Sequence, residues 1–156
     1  MDASRVAPGL WMGGAPAAGK LLAFDRVFLC AWELPYDELG PYPFGPRARV
    51  VRVPLDDSGR PPSAGEVRLA FAASRAVARI YRTGGFRILV TCAQGRNRSG
   101  LVVALALLEL GASPKDAIGA VRQARGPHAL SNAWFVKLIH EAAGRRFLRF
   151  PMEASP

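Results

Sequence analysis

Phe86-Arg87-Ile88-Leu89-Val90-Thr91-Cys92-Ala93-Gln94-Gly95-Arg96-Asn97-Arg98-Ser99-Gly100, followed by Leu101 to Leu110, is the stretch that decides the fold. Ile88, Leu89 and Val90 form a short continuous apolar run, the pattern of a buried strand. Leu101-Val102-Val103-Ala104-Leu105-Ala106-Leu107-Leu108 is too apolar for a surface helix and predicts one packed under the sheet or within it. Between the two lies Cys92, and the sixth residue after it is Arg98. A strand–loop–helix unit turns the loop's backbone N–H groups and the helix N-terminus toward one point, which is a ready site for an anion. The same field, with the charge of Arg98 added, favours the thiolate of a cysteine placed in it. The loop therefore suits two tasks at once: holding a phosphate and presenting Cys92 beneath it as a nucleophile.

These residues resemble the signature of the cysteine-dependent protein phosphatases: Cys, five residues, Arg, then Ser or Thr, with Gly at the third place after the Cys. Cys92, Gly95, Arg98, Ser99 and Gly100 all fit. Lys+Arg make up 21 of 156 residues, so a basic residue at that distance from a given Cys arises about one time in seven by chance. The Gly, the Ser and the strand–loop–helix setting make the match far more specific. One departure stands out. The family usually has His just before the Cys, and here Thr91 takes that place, with a hydroxyl that can offer a hydrogen bond instead. The resemblance runs from roughly Val6 to Phe147 and points to the small, atypical dual-specificity phosphatases.

Length and composition agree with such a reading. The chain has 156 residues, half of them hydrophobic, which fits one globular α/β domain over residues 1–150 with a disordered tail at 151–156. No apolar run is long enough to span a bilayer, and Met1 to Val6 lacks a signal-peptide core. The cysteines, Cys30 and Cys92, do not make a disulfide framework, and a nucleophilic thiol needs a reducing compartment, so a cytoplasmic monomer is expected. The net charge of +9 favours anionic partners, a phosphorylated protein first among them. No basic run exceeds two residues, so no dedicated nucleic-acid motif is visible.

Working outward, Gly9 to Gly14 reads as a short strand closed by glycines, Asp25 to Trp32 as a second strand and Arg47 to Leu55 as a third. Pro35 to Pro46 reads as an irregular loop whose Tyr36, Tyr42 and Phe44 cover a core edge. Ser63-Ala64-Gly65-Glu66 is a capping box opening a helix to about Thr83, with Val67, Leu69, Ala70, Phe71, Ala76, Val77 and Ile80 inward. Further helices are predicted from Ser113-Pro114 to about Arg125, and from Ser131 or Asn132 to Arg145 with Trp134, Phe135, Leu138 and Ile139 inward. This order predicts a central, mainly parallel sheet flanked by helices, as in the protein tyrosine and dual-specificity phosphatases, with its ligand at the carboxyl ends of the strands.

Phosphoryl transfer to a cysteine also needs an acid for the leaving oxygen. The resemblance places it on Val53-Pro54-Leu55-Asp56-Asp57-Ser58-Gly59, at Asp57, with Asp56 as its competitor. By the same resemblance Ala93, Gln94, Gly95, Arg96, Asn97 and Arg98 bind the phosphate, and Ser99 hydrogen-bonds the departing thiolate. Asn132 braces loop carbonyls, and Arg125 lies near the pocket mouth, where a second anion could bind. Neither a metal nor another cofactor is implied. Two alternatives to protein phosphatase activity remain open. Arg96 is an extra cation within the loop, as in relatives acting on phosphoinositides or phosphatidylglycerophosphate, and Asn97-Arg98-Ser99-Gly100 is similar to a motif of RNA 5′-triphosphatases. A phosphate-binding module with decayed catalysis is the other. Cys30 is expected at the same sheet edge as Cys92, as core packing or as a redox partner.

Overall fold

The computed structural model describes residues 2–15, 24–34 and 48–153, the last eight of these by backbone alone. The strands are β1 (Ala3–Ala7), β2 (Leu10–Gly13), β3 (Arg26–Leu29), β4 (Arg49–Arg52) and β5 (Ile88–Thr91). The helices are α1 (Ala64–Thr83), α2 (Arg98–Glu109), α3 (Pro114–Arg125) and α4 (Ala133–Glu153). The expected Pro35–Pro46 loop and residues 154–156 of the expected tail lie outside the described residues.

The sheet runs β1-β2-β5-β3-β4, with β1 antiparallel to β2 and every other pairing parallel. This is the mainly parallel α/β sheet predicted, with one strand added. β1 and β2 form a hairpin through Pro8-Gly9, where Gly9 has φ 81° and a Cβ would press on Phe86 O at 3.0 Å. That turn lies at the start of the strand expected over Gly9 to Gly14, and β1 before it was not expected.

β5 is central because it is apolar on both faces. Ile88 and Val90 join the large core with Leu10, Met12 and Phe28, to which all four helices contribute. Leu89 points the other way, to a smaller cluster with Phe24, Val27 and Leu29. α2 is buried almost throughout, as its composition requires. Each of its Leu and Val side chains contributes about 1.5–3 kcal/mol by leaving water.

α1 starts at the predicted capping box: Ser63 Oγ accepts from Glu66 N at 3.2 Å, and Glu66 Oε1 accepts from Ser63 N at 3.4 Å. Its buried seam is Ala70, Ala73, Ser74, Val77 and Ala78. Leu69, expected inward, is 40% exposed, because this narrow stripe of small residues is what brings α1 against α2. Trp134 is equally exposed, not inward. α4 continues past Arg145 to Glu153, so residues 151–153 are helical rather than tail; no stop signal intervenes before Pro151.

Candidate active site

The parallel strands β2, β3, β4 and β5 end at one edge, and the loops that follow them meet there. The loop after β5 is pinned to its neighbours by backbone bonds: Cys92 N to Gly13 O at 3.2 Å, Ala15 N to Ala93 O at 3.0 Å and Cys30 N to Thr91 O at 2.7 Å. Thr91 is fully buried and its hydroxyl donates to Gly14 O, so the residue in place of the family His ties β5 to the end of β2. Gly95 has φ 65°, and a Cβ there would stand 2.5 Å from the Gly13 carbonyl carbon and 2.6 Å from Arg125 Nη2. Only glycine fits so close an approach without distorting the loop.

Cys92 is 2% exposed, and its Sγ lies 3.2 Å from Ser99 Oγ in the first turn of α2. It lines a cavity of about 470 Å3 with Ala93, Gln94, Arg96, Asn97 and Arg98 of its own loop. Trp32 and Glu33 border the cavity from the loop after β3, and Asp56, Asp57 and Ser58 from the loop after β4.

Arg98 is 7% exposed, and its Nη1 and Nη2 grip the two carboxylate oxygens of Glu33. This bond, the nearby positive charge of Arg98 adding to it, holds the Glu33 carboxyl below the usual range. The end of the guanidinium fork is thereby occupied. Its Nε, on the side edge, is buried with no acceptor among the described residues. A buried N–H without a partner is costly, and an incoming oxyanion supplies the missing acceptor. Glu33 was not legible as a site residue. The available signal was its place just beyond a strand parallel to β5.

The two candidate acids differ plainly. Asp56 turns back on its own loop, accepting from Ser58 N at 3.2 Å, from the Ser58 hydroxyl and from Arg60 Nε at 3.1 Å. The Ser58 hydroxyl bond leads the causes that hold it below the ordinary aspartate range. Asp57 faces the Cys92 loop: Asn97 Nδ2 donates to Oδ2 at 3.0 Å and Asn132 Nδ2 to Oδ1 at 2.7 Å. The Trp134 indole N–H donates to Gly59 O at 3.1 Å and pins the same segment to α4.

The two supporting residues do not do what was expected of them. Asn132, expected to brace loop carbonyls, holds Asp57 instead and caps α4 by accepting from Trp134 N at 3.0 Å. Arg125, expected near the pocket mouth for a second anion, is the one that braces the carbonyls, donating to Gly95 O at 2.8 Å and Gln94 O at 3.1 Å. Asp2 closes on its far side as an ion pair. Arg96 is exposed at the cavity, with no side-chain partner among the described residues.

No protein-family model and no curated protein matches the chain. Solved structures do. A mouse putative dual specificity phosphatase complexed with zinc tungstate is 27% identical with a TM-score of 0.74, over 94% of this chain and 89% of that one. Human DUSP28 is 25% identical with a TM-score of 0.77, over 94% and 96%. PTPMT1, in complex with PI(5)P, shares the fold at 15% identity and a TM-score of 0.67, over 94% and 97%. The fold is that of the cysteine-dependent phosphatase superfamily, and the Cys92 loop is similar to that superfamily's signature. Within it, the chain is similar to the small dual-specificity phosphatases.

Proposed function

We propose that this protein hydrolyses phosphomonoesters through a phosphocysteine intermediate on Cys92, with phosphotyrosine, phosphoserine and phosphothreonine of proteins as its substrates. The observation that carries this is the juxtaposition at the cavity: Cys92 Sγ beside Ser99 Oγ at 3.2 Å, and the side edge of Arg98, whose Nε has no acceptor among the described residues. A phosphate seated on the loop amides and on that edge presents phosphorus to the thiolate. Sγ attacks, the P–O bond to the leaving group breaks, and Asp57, having turned an oxygen away from one amide, protonates the departing oxygen. The loop amides and Arg98 stabilise the charge on the three equatorial oxygens. Water then attacks the phosphocysteine with Asp57 as base. The S–P bond breaks, and Ser99 donates a hydrogen bond to the thiolate that leaves.

The cavity is open to more than one kind of phosphoryl group, and Arg96 favours a second reading. Its exposed cation in the loop, with no side-chain partner among the described residues, suits substrates with another phosphate nearby, such as phosphoinositides, phosphatidylglycerophosphate or RNA 5′-triphosphates. A cytoplasmic monomer without cofactors completes the proposal; no described helix is long and apolar enough to cross a membrane.

The test is hydrolysis of a small aryl phosphate, followed by a panel of phosphopeptides, phosphoinositides, phosphatidylglycerophosphate and triphosphorylated RNA. Wild type should turn over the aryl phosphate, and Cys92→Ser should lose turnover while still binding tungstate. Near-wild-type turnover by Cys92→Ser defeats the nucleophile assignment. A wild type that binds tungstate without hydrolysing anything in the panel is a binding module.

A further inference from the structure

Arg125, at the end of α3, does not line the cavity, and it uses every N–H it has. Nε donates to Gly95 O at 2.8 Å and Nη2 to Gln94 O at 3.1 Å. Nη1 and Nη2 donate to the two carboxylate oxygens of Asp2, at 2.7 and 2.8 Å. The remaining Nη1 hydrogen reaches Ser4 Oγ at 3.2 Å. A guanidinium carries five N–H donors in a rigid fork, so none is left over. The group is 8% exposed.

The two carbonyls it binds belong to the phosphate loop. In a planar trans peptide the C=O and the following N–H point in opposite directions. Fixing Gln94 O and Gly95 O on the Arg125 side therefore aims the N–H groups of Gly95 and Arg96 the other way, toward the cavity that Gln94 and Arg96 border.

Asp2 is itself fixed. Its carbonyl accepts from Gly14 N at 3.0 Å, and a Cβ on Gly14 would come within 2.6 Å of Asp2 Oδ2. The next residue along, Ala15, donates to Ala93 O of the same loop. The β1–β2 hairpin thus meets the phosphate loop through its backbone and through the Asp2–Arg125 pair.

We infer that Asp2 is a positioning residue for the phosphate loop: acting through Arg125, it sets the peptide planes whose N–H groups receive the phosphate. The inference rests on the phosphatase reading for its consequence in catalysis, but its geometry can be read by anion binding alone. Without the carboxylate, the last-turn guanidinium loses the partner that holds it flat against Gln94 and Gly95.

The experiment compares Asp2→Ala, Asp2→Asn, Arg125→Ala, the Asp2→Ala/Arg125→Ala double variant and Arg5→Ala, an exposed neighbour on β1, as control. Tungstate affinity is read by calorimetry, kcat and KM with an aryl phosphate, and folding by thermal unfolding. Asp2→Ala should weaken tungstate binding about 5- to 20-fold, the range expected when a charged hydrogen-bond partner is lost. kcat/KM should fall in step. Asp2→Asn, which keeps one acceptor, should fall between Asp2→Ala and wild type, and Arg5→Ala should match wild type. The double variant should be no weaker than Arg125→Ala, because Asp2 acts through that residue. Unchanged tungstate affinity in Asp2→Ala, or losses that add in the double variant, overturns the inference. If Asp2→Ala fails to fold, Asp2→Asn decides by the same reading. Tungstate binding without turnover in wild type removes the phosphatase reading and leaves this test intact; a wild type that binds no tungstate overturns both.

Discussion

The two faces of the Cys92 loop each carry an arginine whose side chain is at most 8% exposed and gripped by a carboxylate, and the two arginines end differently. On the inner face Arg98 is held end-on by Glu33, and its side edge keeps an N–H with no acceptor among the described residues. On the outer face Arg125 is held by Asp2 and has every donor engaged. The same residue type with the same kind of partner keeps an open donor in one place and makes a brace in the other. What separates them is the number of acceptors supplied by the surrounding chain. An unsatisfied buried donor raises the free energy of the empty site and therefore favours a ligand that brings an acceptor. A fully satisfied one gains nothing from a ligand and serves to keep geometry.

The sharpest way to break this comparison is Arg98→Lys. A lysine keeps the charge and loses the planar fork, so kcat should fall on the order of 100- to 1000-fold in steady-state assays. A loss no larger than that of Arg125→Ala would show that the inner arginine is not special. Next comes Asp57→Asn. Hydrolysis of substrates with poor leaving groups should slow about 100-fold or more, and that of good leaving groups much less. Asp56→Asn should lack this dependence, since its carboxylate is turned to Ser58 and Arg60. The opposite pattern reverses the two roles.

A smaller effect is expected for Glu33→Gln. The amide still accepts one bond from Arg98 but cannot match both Nη groups. A loss of about 3- to 10-fold in kcat/KM should follow, with tungstate binding weakened alongside. An unaltered kcat/KM would mean that Arg98 keeps its orientation without Glu33. The smallest effect on the resting enzyme concerns Cys30, fully buried next to the inner face, whose thiol is pushed up by burial and by the nearby Cys92. The register Leu29↔Thr91 places Cys30 and Cys92 next in line on adjacent parallel strands. Strand spacing puts their Cα atoms about 5 Å apart, within reach of a disulfide. Cys30→Ala should keep basal turnover within about twofold and lose recovery of activity by thiols after mild peroxide. Peroxide oxidises Cys92 to the sulfenic acid, and Cys30 displaces water to form the bond. Mass spectrometry that finds a Cys92 sulfinate and no Cys30–Cys92 crosslink removes the idea.

The inner face was largely legible in the sequence, and the outer face was not. Cys92, Gly95, Arg98 and Ser99 lie within one short stretch whose periodicity changes from strand to helix, and local pattern is what sequence displays. The capping box at Ser63 was visible for the same reason. Glu33 and Asp2 are single carboxylates whose meaning arises only when distant segments meet, so nothing in their neighbourhoods marks them. Arg125 and Asn132 were singled out, but Arg125 takes the carbonyl bracing expected of Asn132, and Asn132 holds Asp57, a contact the sequence did not suggest. Resemblance says which residues surround a loop, and hydrogen-bond geometry says what each one touches. β1 was missed: Ala3-Ser4-Arg5-Val6-Ala7 is short, half-buried and poor in large apolar residues, and the strand was read from Gly9 onward.

The pairing of Asp2 with Arg125 spans 123 residues of chain, which has a consequence for biosynthesis. A ribosome releases β1 first and α3 late, so the earliest strand waits for nearly the whole domain before its carboxylate finds a partner. Contacts of such long range close after the local ones, because chain entropy must be overcome before they contribute. The helices and the central strands can therefore assemble around a loop whose outer brace is still missing. A nascent chain ending before α3 lacks both the core side chains of the last two helices and the guanidinium that braces the loop carbonyls, so the outer support of the loop arrives only with the finished domain.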